Sequence, residues 1–78
     1  MRIRLYGRLG DTIGPETDVE APDGCTVADI RQRLVAGHPR AAEALQRSRA
    51  CLAGALIGDD QRLGLGDEIE FLPPVSGG

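Results

Sequence analysis

The sequence has little of what catalytic and metal sites are built from. Its 78 residues contain no lysine and no tryptophan, a single histidine (His38) and two cysteines (Cys25 and Cys51). A glycine-rich loop with a phosphate-binding lysine is therefore excluded, and the cysteines and the histidine lack the close pairs of ligands that a zinc site requires. No segment combines a nucleophile with a base and an orienting third group. We expect the chain to catalyse nothing by itself.

Aromatic residues are also scarce, and the charge balance is acidic. The length predicts one small domain. Only Tyr6 and Phe71 are aromatic, so aliphatic side chains must form most of its core. The net charge of −3 argues against nucleic acid as the main partner. No apolar run is long enough to cross a membrane, no signal peptide is recognisable, and the two cysteines do not make the framework of a small secreted protein. We therefore expect a cytoplasmic protein with free thiols and no membrane partner.

Alternating apolar and polar residues predict a small sheet. Four segments have the pattern or composition of strands: residues 2–6, 17–21, 50–57 and 68–72. In the last of them, Ile69 and Phe71 share the face that we assign to the core. Glycines and a proline predict a loop over residues 10–15, and Leu63 and Leu65 are expected to reach the core from a second loop.

One amphipathic helix separates the second and third predicted strands. Thr26 is the expected N-cap, and Asp29, three residues later, completes a capping box. The apolar stripe of this helix is formed by Val27, Ile30 and Leu34. Arg31 falls on the side predicted to face water, and residues 40–47 predict a second, shorter helix. Two strands, a helix and returning strands indicate an α+β fold, a small mixed sheet with one main helix packed on one face.

The C-terminal segment is the most informative part of the chain. The predicted strand 68–72 leads directly into Pro73-Pro74-Val75-Ser76-Gly77-Gly78. Prolines favour an extended path, and at full extension these six residues span roughly 20 Å. The arrangement predicts a flexible tail, about residues 73–78, that presents the C-terminal carboxylate to the active site of another protein. The alternative is a glycine-rich end that is frayed and has no role.

Residues 67–78 closely resemble the end of the small subunits of molybdopterin synthase, a family of ubiquitin-like sulfur carriers. The opening residues 3–7, the helix that begins after Thr26 and the total length also fit this family. Residues 53–57 depart from it, because many members carry an Ala-Val-Asn-like segment there. The resemblance implies a ubiquitin-like β-grasp fold in which residues 1–78 form a single domain.

The resemblance also implies a chemical role for the terminus. A partner adenylating enzyme, similar to ubiquitin-activating enzymes, would use ATP to convert the Gly78 carboxylate into an acyl-adenylate. Delivery of sulfur would release AMP and leave a thiocarboxylate on Gly78. The large subunit of molybdopterin synthase would then use that sulfur to convert a pterin precursor during molybdenum cofactor biosynthesis. Gly77 and Ser76 would lie in the partner's channel, where bare backbone is needed. The chain itself would hold no permanent cofactor and no metal.

The root of the tail is a candidate docking surface. Leu72 has the opposite parity to Ile69 and Phe71, so its side chain is expected on the other face of the strand. The residues assigned to docking are Leu72, Pro73, Pro74, Val75 and Tyr6. Exposed apolar patches of this kind mark partner sites, and the alternative is ordinary burial against the sheet.

Two other functions remain open at this point. The chain could be a sulfur carrier for thiamine or cysteine biosynthesis, which shares the terminal Gly-Gly. It could also be a ubiquitin-like interaction module whose terminus is chemically silent. Incubation with an adenylating enzyme and ATP separates the carriers from the silent module.

Overall fold

The computed structural model describes residues 1–74 of the chain. In this range the strands are β1 (Arg2–Leu5), β2 (Glu16–Asp18), β3 (Arg49–Leu52), β4 (Ala55–Ile57) and β5 (Glu68–Leu72). The helices are α1 (Arg8–Ile13), α2 (Val27–Gly37) and α3 (Ala42–Arg47), with a 3-10 turn at Pro39–Ala41 directly before α3. Helix α2 and the shorter α3 are where the sequence predicts them.

The strands form one mixed sheet in the order β2-β1-β5-β3-β4. The central strand β5 runs parallel to β1 and antiparallel to β3, and the two outer pairs are antiparallel. Strand β2 is shorter than predicted, although the Val19 N–H still donates to the Met1 carbonyl at 2.9 Å. The predicted α+β fold, with the main helix on one face of a small mixed sheet, is confirmed.

The core lies between the sheet and helix α2. Ile69 and Phe71 of the central strand are completely buried, as their parity predicts. They pack in one cluster with the apolar stripe of α2, which comprises Val27, Ile30 and Leu34. In the sheet, Phe71 lies between Leu5 of β1 and Ala50 of β3, both of which are buried. The core is therefore centred on the strand that precedes the tail.

Helix α2 begins with the predicted capping box. The Asp29 N–H donates to Thr26 Oγ1 at 3.3 Å, and the Thr26 N–H donates to Asp29 Oδ2 at 3.0 Å. These two bonds satisfy backbone donors that the first turn of a helix leaves open. The hydrogen bond from the Thr26 backbone holds the pKa of Asp29 below its ordinary value. The capping box thus fixes the point at which the helix begins.

The predicted loop over residues 10–15 is wrong, because most of it belongs to helix α1. Leu9 is buried in the core, and this burial outweighs the low helix propensity of the glycines. Gly10 has a packing reason to be glycine: a Cβ there would lie 2.9 Å from the carbonyl oxygen of Leu5. The helix can lie this close to β1 only without a side chain at that position.

The predicted single strand over residues 50–57 is also wrong. It is a hairpin in which β3 and β4 are joined by Ala53 and Gly54, with φ of 52° and 82°. Positive φ at both central residues is the pattern of a type I′ turn, whose twist suits a two-residue hairpin. In the following loop, Leu63 is buried as predicted, but Leu65 is 66% exposed and does not reach the core.

Arg31 does not face water as predicted. Its guanidinium lies 5.0 Å from the centre of the Phe71 ring. It donates to the carbonyl of Leu45, to Ser48 Oγ at 2.8 Å and to Asp59 Oδ1 at 3.0 Å. A charge can leave water when its donors are satisfied in this way, and helical periodicity alone does not reveal acceptors on other elements.

Substitution of Phe71 by alanine tests the central position of β5. We expect Phe71→Ala to lower the free energy of unfolding by about 3–5 kcal/mol, because a large buried side chain is lost and a cavity remains. Urea denaturation followed by circular dichroism measures this change. Leu65→Ala is the matched control, and its exposed site should change stability by less than about 0.5 kcal/mol. A loss below about 1 kcal/mol for Phe71→Ala would contradict its central position in the core.

Candidate functional site

The chain leaves the sheet beside the start of helix α1. Leu72 ends the central strand, and Pro73 and Pro74 follow as exposed residues. The Tyr6 N–H donates to the Phe71 carbonyl at 3.2 Å, which extends the pairing of β1 and β5 by one step. Gly7 then turns the chain into α1 with a φ of 62°. The root of the tail and the C-terminal end of β1 therefore lie side by side, at the same end of the sheet.

Gly7 and Pro73 pack closely together at this end of the sheet. A Cβ on Gly7 would lie 3.3 Å from Pro73 Cγ, which is tighter than most real contacts of this kind. The positive φ of Gly7 also disfavours any residue with a side chain. The proline ring thus lies against bare backbone, and this contact sets the direction in which the chain continues.

The residues assigned to docking fall on two neighbouring surfaces. Tyr6, Pro73 and Pro74 line one groove, whereas Leu72 lies outside that groove. Leu72 is half-buried, and in the sheet it lies opposite Arg49 of β3. Because side chains alternate along a strand, Leu72 points to the face opposite that of Phe71. The remaining predicted site residues, which are Val75, Ser76, Gly77 and Gly78, lie outside the described residues.

Tyr6 is oriented by a partner that the sequence pattern did not identify. Its hydroxyl donates to Glu70 Oε2 at 2.7 Å, across the open face of the sheet. This hydrogen bond, together with partial loss of water, raises the pKa of Tyr6 above its ordinary value. Tyr6 remains 39% exposed. The two residues are 64 positions apart in the sequence, so only the parallel pairing of β1 with β5 could have revealed the contact.

The groove at the root of the tail, called the tail groove below, has a volume of about 660 Å³. Its floor is formed by Tyr6, Gly7 and the two prolines. One wall is helix α1, and the other is the 3-10 turn with helix α3. The walls supply three arginines, Arg8, Arg40 and Arg47. Sequence reasoning missed them, because they come from elements that meet only in the folded chain.

The other residues singled out in the sequence take structural positions. Cys25 and Cys51 are both buried and free, and the Cys25 carbonyl accepts from the Leu63 N–H at 2.8 Å. His38 ends helix α2, where its N–H donates to the Leu34 carbonyl at 2.8 Å. Within residues 1–74, no group of three or more His, Cys, Asp or Glu side chains is placed to hold a metal ion. In the same range no helix is long and apolar enough to span a membrane.

Replacement of Glu70 by glutamine tests the orientation of Tyr6. We expect Glu70→Gln to lower the pKa of Tyr6 towards its ordinary value, because a neutral amide is a weaker acceptor than a carboxylate. Tyr6 is the only tyrosine in the chain, so a pH titration of tyrosinate absorbance reports on it alone. Folding raises the pKa of Tyr6, so the hydrogen bond to Glu70 stabilises the folded state at pH values below the ordinary pKa of tyrosine. This stabilisation is lost as the pH rises through the raised pKa.

The matched control for this titration is Glu16→Gln. Glu16 lies near Arg4, at 3.6 Å, and makes no hydrogen bond to the Tyr6 hydroxyl. We expect this variant to leave the titration of Tyr6 nearly unchanged. Equal pKa values in wild type and Glu70→Gln would show that the hydrogen bond does not hold the hydroxyl in solution.

Comparison with known proteins identifies the family of the chain. The ThiS family matches residues 3–78. The molybdopterin synthase sulfur carrier subunit of Escherichia coli (strain K12) is 31% identical over 80 residues, which cover 100% of this chain and 99% of that protein. The predicted resemblance to sulfur carriers is thereby confirmed.

Two solved structures have the same fold. SAMP1 from Haloferax volcanii superposes with a TM-score of 0.81 at 24% identity, over 99% of this chain and 97% of that one. A chain in the complex of subunits 1 and 2 of the molybdopterin-converting factor from Helicobacter pylori 26695 superposes with a TM-score of 0.68 at 24% identity, over 99% and 96%. With this β-grasp fold and a family match over nearly its whole length, the chain belongs to the ThiS family.

Proposed function

We propose that this chain is the sulfur carrier subunit of a molybdopterin synthase. The observation that carries the proposal is the Gly-Gly terminus, which follows two prolines at the end of the central strand. The 31% identity to a sulfur carrier subunit over the whole chain supports the same role. The carrier acts in the cytoplasm, and the two free, buried thiols are compatible with a reducing compartment.

The proposed chemistry takes place on the carboxylate of Gly78. At neutral pH this group is ionised, since an α-carboxyl pKa is about 3.5, and an ionised carboxylate is a poor electrophile. An adenylating enzyme transfers AMP from ATP to one carboxylate oxygen, and pyrophosphate leaves. A sulfur nucleophile then attacks the carbonyl carbon, so the C–O bond to AMP breaks and a C–S bond forms. If the nucleophile is sulfide, this step gives the Gly78 thiocarboxylate directly; if it is a donor persulfide, a second thiol must reduce the acyl disulfide that forms, which frees the thiocarboxylate and leaves a disulfide on the donor side.

In this proposal the chain contributes position, and its partners contribute catalysis. The β5 strand and the contact of Pro73 with Gly7 fix the point from which the tail starts. From Pro74 onwards, the four remaining residues can extend by about 14 Å. Gly77 and Gly78 have no side chains, and Ser76 has a small one, so a narrow channel can admit them. The large synthase subunit is the partner that consumes the sulfur.

A second candidate is a sulfur carrier for another pathway, such as thiamine or cysteine biosynthesis. The match of residues 3–78 to the ThiS family is equally compatible with it, because this match does not distinguish between the pathways. Binding to the large subunit of molybdopterin synthase distinguishes the two functions. A carrier for molybdopterin synthesis binds that subunit, and a carrier for another pathway does not.

The covalent state of the terminus tests the carrier role. With a competent adenylating enzyme, ATP and a sulfur donor, we expect intact-mass spectra to show exchange of one oxygen for sulfur on Gly78. A variant that lacks Gly78 is the control, and it should keep the wild-type melting temperature but gain no sulfur, because the reacting group is displaced by about 3.5 Å. Spectra of wild type without the sulfur species would contradict the carrier role and favour a chemically silent interaction module.

The Leu72→Asp substitution tests the docking surface. We expect the variant to fold almost normally, because Leu72 lies on the open face of the sheet and outside the core cluster. Its affinity for the large synthase subunit should fall by about thirtyfold, since an apolar anchor contributes about 2 kcal/mol and a buried unpaired carboxylate is costly. Titration calorimetry measures the change.

Leu65→Asp is the matched control for this titration, because Leu65 is an exposed leucine in the loop before β5. We expect it to bind like wild type. If Leu72→Asp is folded and binds with wild-type affinity, Leu72 does not belong to the interface. If wild type itself does not bind, the assignment to molybdopterin synthesis is wrong.

A further inference from the structure

The tail groove is positively charged in a chain that is negatively charged overall. Arg8 from α1, Arg40 from the 3-10 turn and Arg47 from α3 line it, and Glu43 is its single acidic residue. Three positive charges and one negative charge give the groove a net charge of +2, whereas the whole chain has a net charge of −3. Charge of the opposite sign to the rest of the surface is therefore concentrated beside the tail.

Two of these arginines have no acidic partner in the described part of the chain. Arg47 pairs with Glu43 at 3.1 Å, one helical turn away on α3. For Arg8 and Arg40, no carboxylate within residues 1–74 lies within ion-pair distance. Among residues 1–74, Arg4 and Arg31 are paired with carboxylates of this chain, and of the arginines that make no ion pair only Arg8 and Arg40 line the groove. Arg8 and Arg40 are also exposed. Their guanidinium groups are therefore available to bind an external anion.

The position of the groove identifies its occupant. Pro73 and Pro74, from which the tail starts, form part of its floor together with Tyr6. Gly78 lies only four residues beyond Pro74, so a protein that takes Gly78 into its active site comes close to this groove. Guanidinium groups bind carboxylates with paired hydrogen bonds, which favours aspartate and glutamate side chains as ligands.

We infer that the tail groove binds an acidic segment of the protein that accepts the tail, and that Arg8 and Arg40 attract it. This inference rests on the proposed function. Charges at the rim of an interface act mainly on the rate of association, and salt weakens their effect. The apolar contacts of Leu72 and the tail itself act mainly on the rate of dissociation. The two contributions can therefore be measured separately.

Association kinetics with the large subunit of molybdopterin synthase test the inference. The variant is Arg8→Gln/Arg40→Gln, which keeps side chains of similar polarity and removes two positive charges. At an ionic strength of about 0.01 M, we expect its association rate constant to be about 3- to 10-fold lower than that of wild type, with little change in dissociation. At about 0.15 M the difference should become smaller.

The matched control is Arg33→Gln/Arg62→Gln. It removes the same charge outside the groove, where the two guanidinium groups donate to the carbonyls of Glu20 and Gly24. This control should slow association much less than the groove variant does. Equal rates for the two variants would overturn the inference and leave the proposed function intact.

Two other outcomes are also decisive. If wild type does not bind the large subunit, the inference fails together with the assignment to molybdopterin synthesis. Sedimentation velocity of the free chain tests a second occupant. If wild type and the control form dimers while the groove variant is monomeric, the groove is a contact between copies of this chain, and the inference is wrong.

Discussion

Parallel pairing of β1 with β5 determines where the C-terminal tail leaves the sheet. The two strands run in the same direction, with Leu5 opposite Phe71, so they end at the same edge of the sheet. Two residues beyond this pair, Gly7 and Pro73 therefore lie close together. Because β5 is the central strand, the tail starts from the most strongly anchored part of the sheet. A tail that started from an edge strand would start from a more weakly paired position.

The partly buried guanidinium of Arg31 connects this central strand to the wall of the tail groove. It lies over the Phe71 ring and donates to Leu45 and Ser48, which belong to the C-terminal end of α3 and the residue after it. The last carbonyls of a helix have no partner within the helix, and here one of them accepts from a charged donor. The same side chain thus holds α3 against the core, and α3 in turn positions Arg47 in the groove.

Local patterns in the sequence were sufficient for the elements whose cause is local. The capping box of Thr26 and Asp29 and the alternation of β5 depend on neighbouring residues, and both were predicted correctly. Helix α1 was missed because Gly10, which looks like a loop residue, is required by close packing on Leu5. The positions of Arg31 and Arg8 depend on acceptors or neighbours far away in the sequence. No periodicity within one element contains that information.

The two surfaces that flank the tail differ in how their charges are satisfied, and this difference bears on how a carrier exchanges partners. On the open face of the sheet, Glu68 raises the pKa of Arg4, and Glu70 holds the Tyr6 hydroxyl. Charges there are partly paired within the chain, through Arg4 with Glu16 and Glu68, and Leu72 offers apolar contact to a partner that covers this face. In the tail groove, Arg8 has no such internal partner among the described residues. In the function proposed above, the groove attracts a partner at a distance and the sheet face holds it on contact. This separation suits the proposed carrier, which must leave one partner for the next, because fast association then does not require slow release.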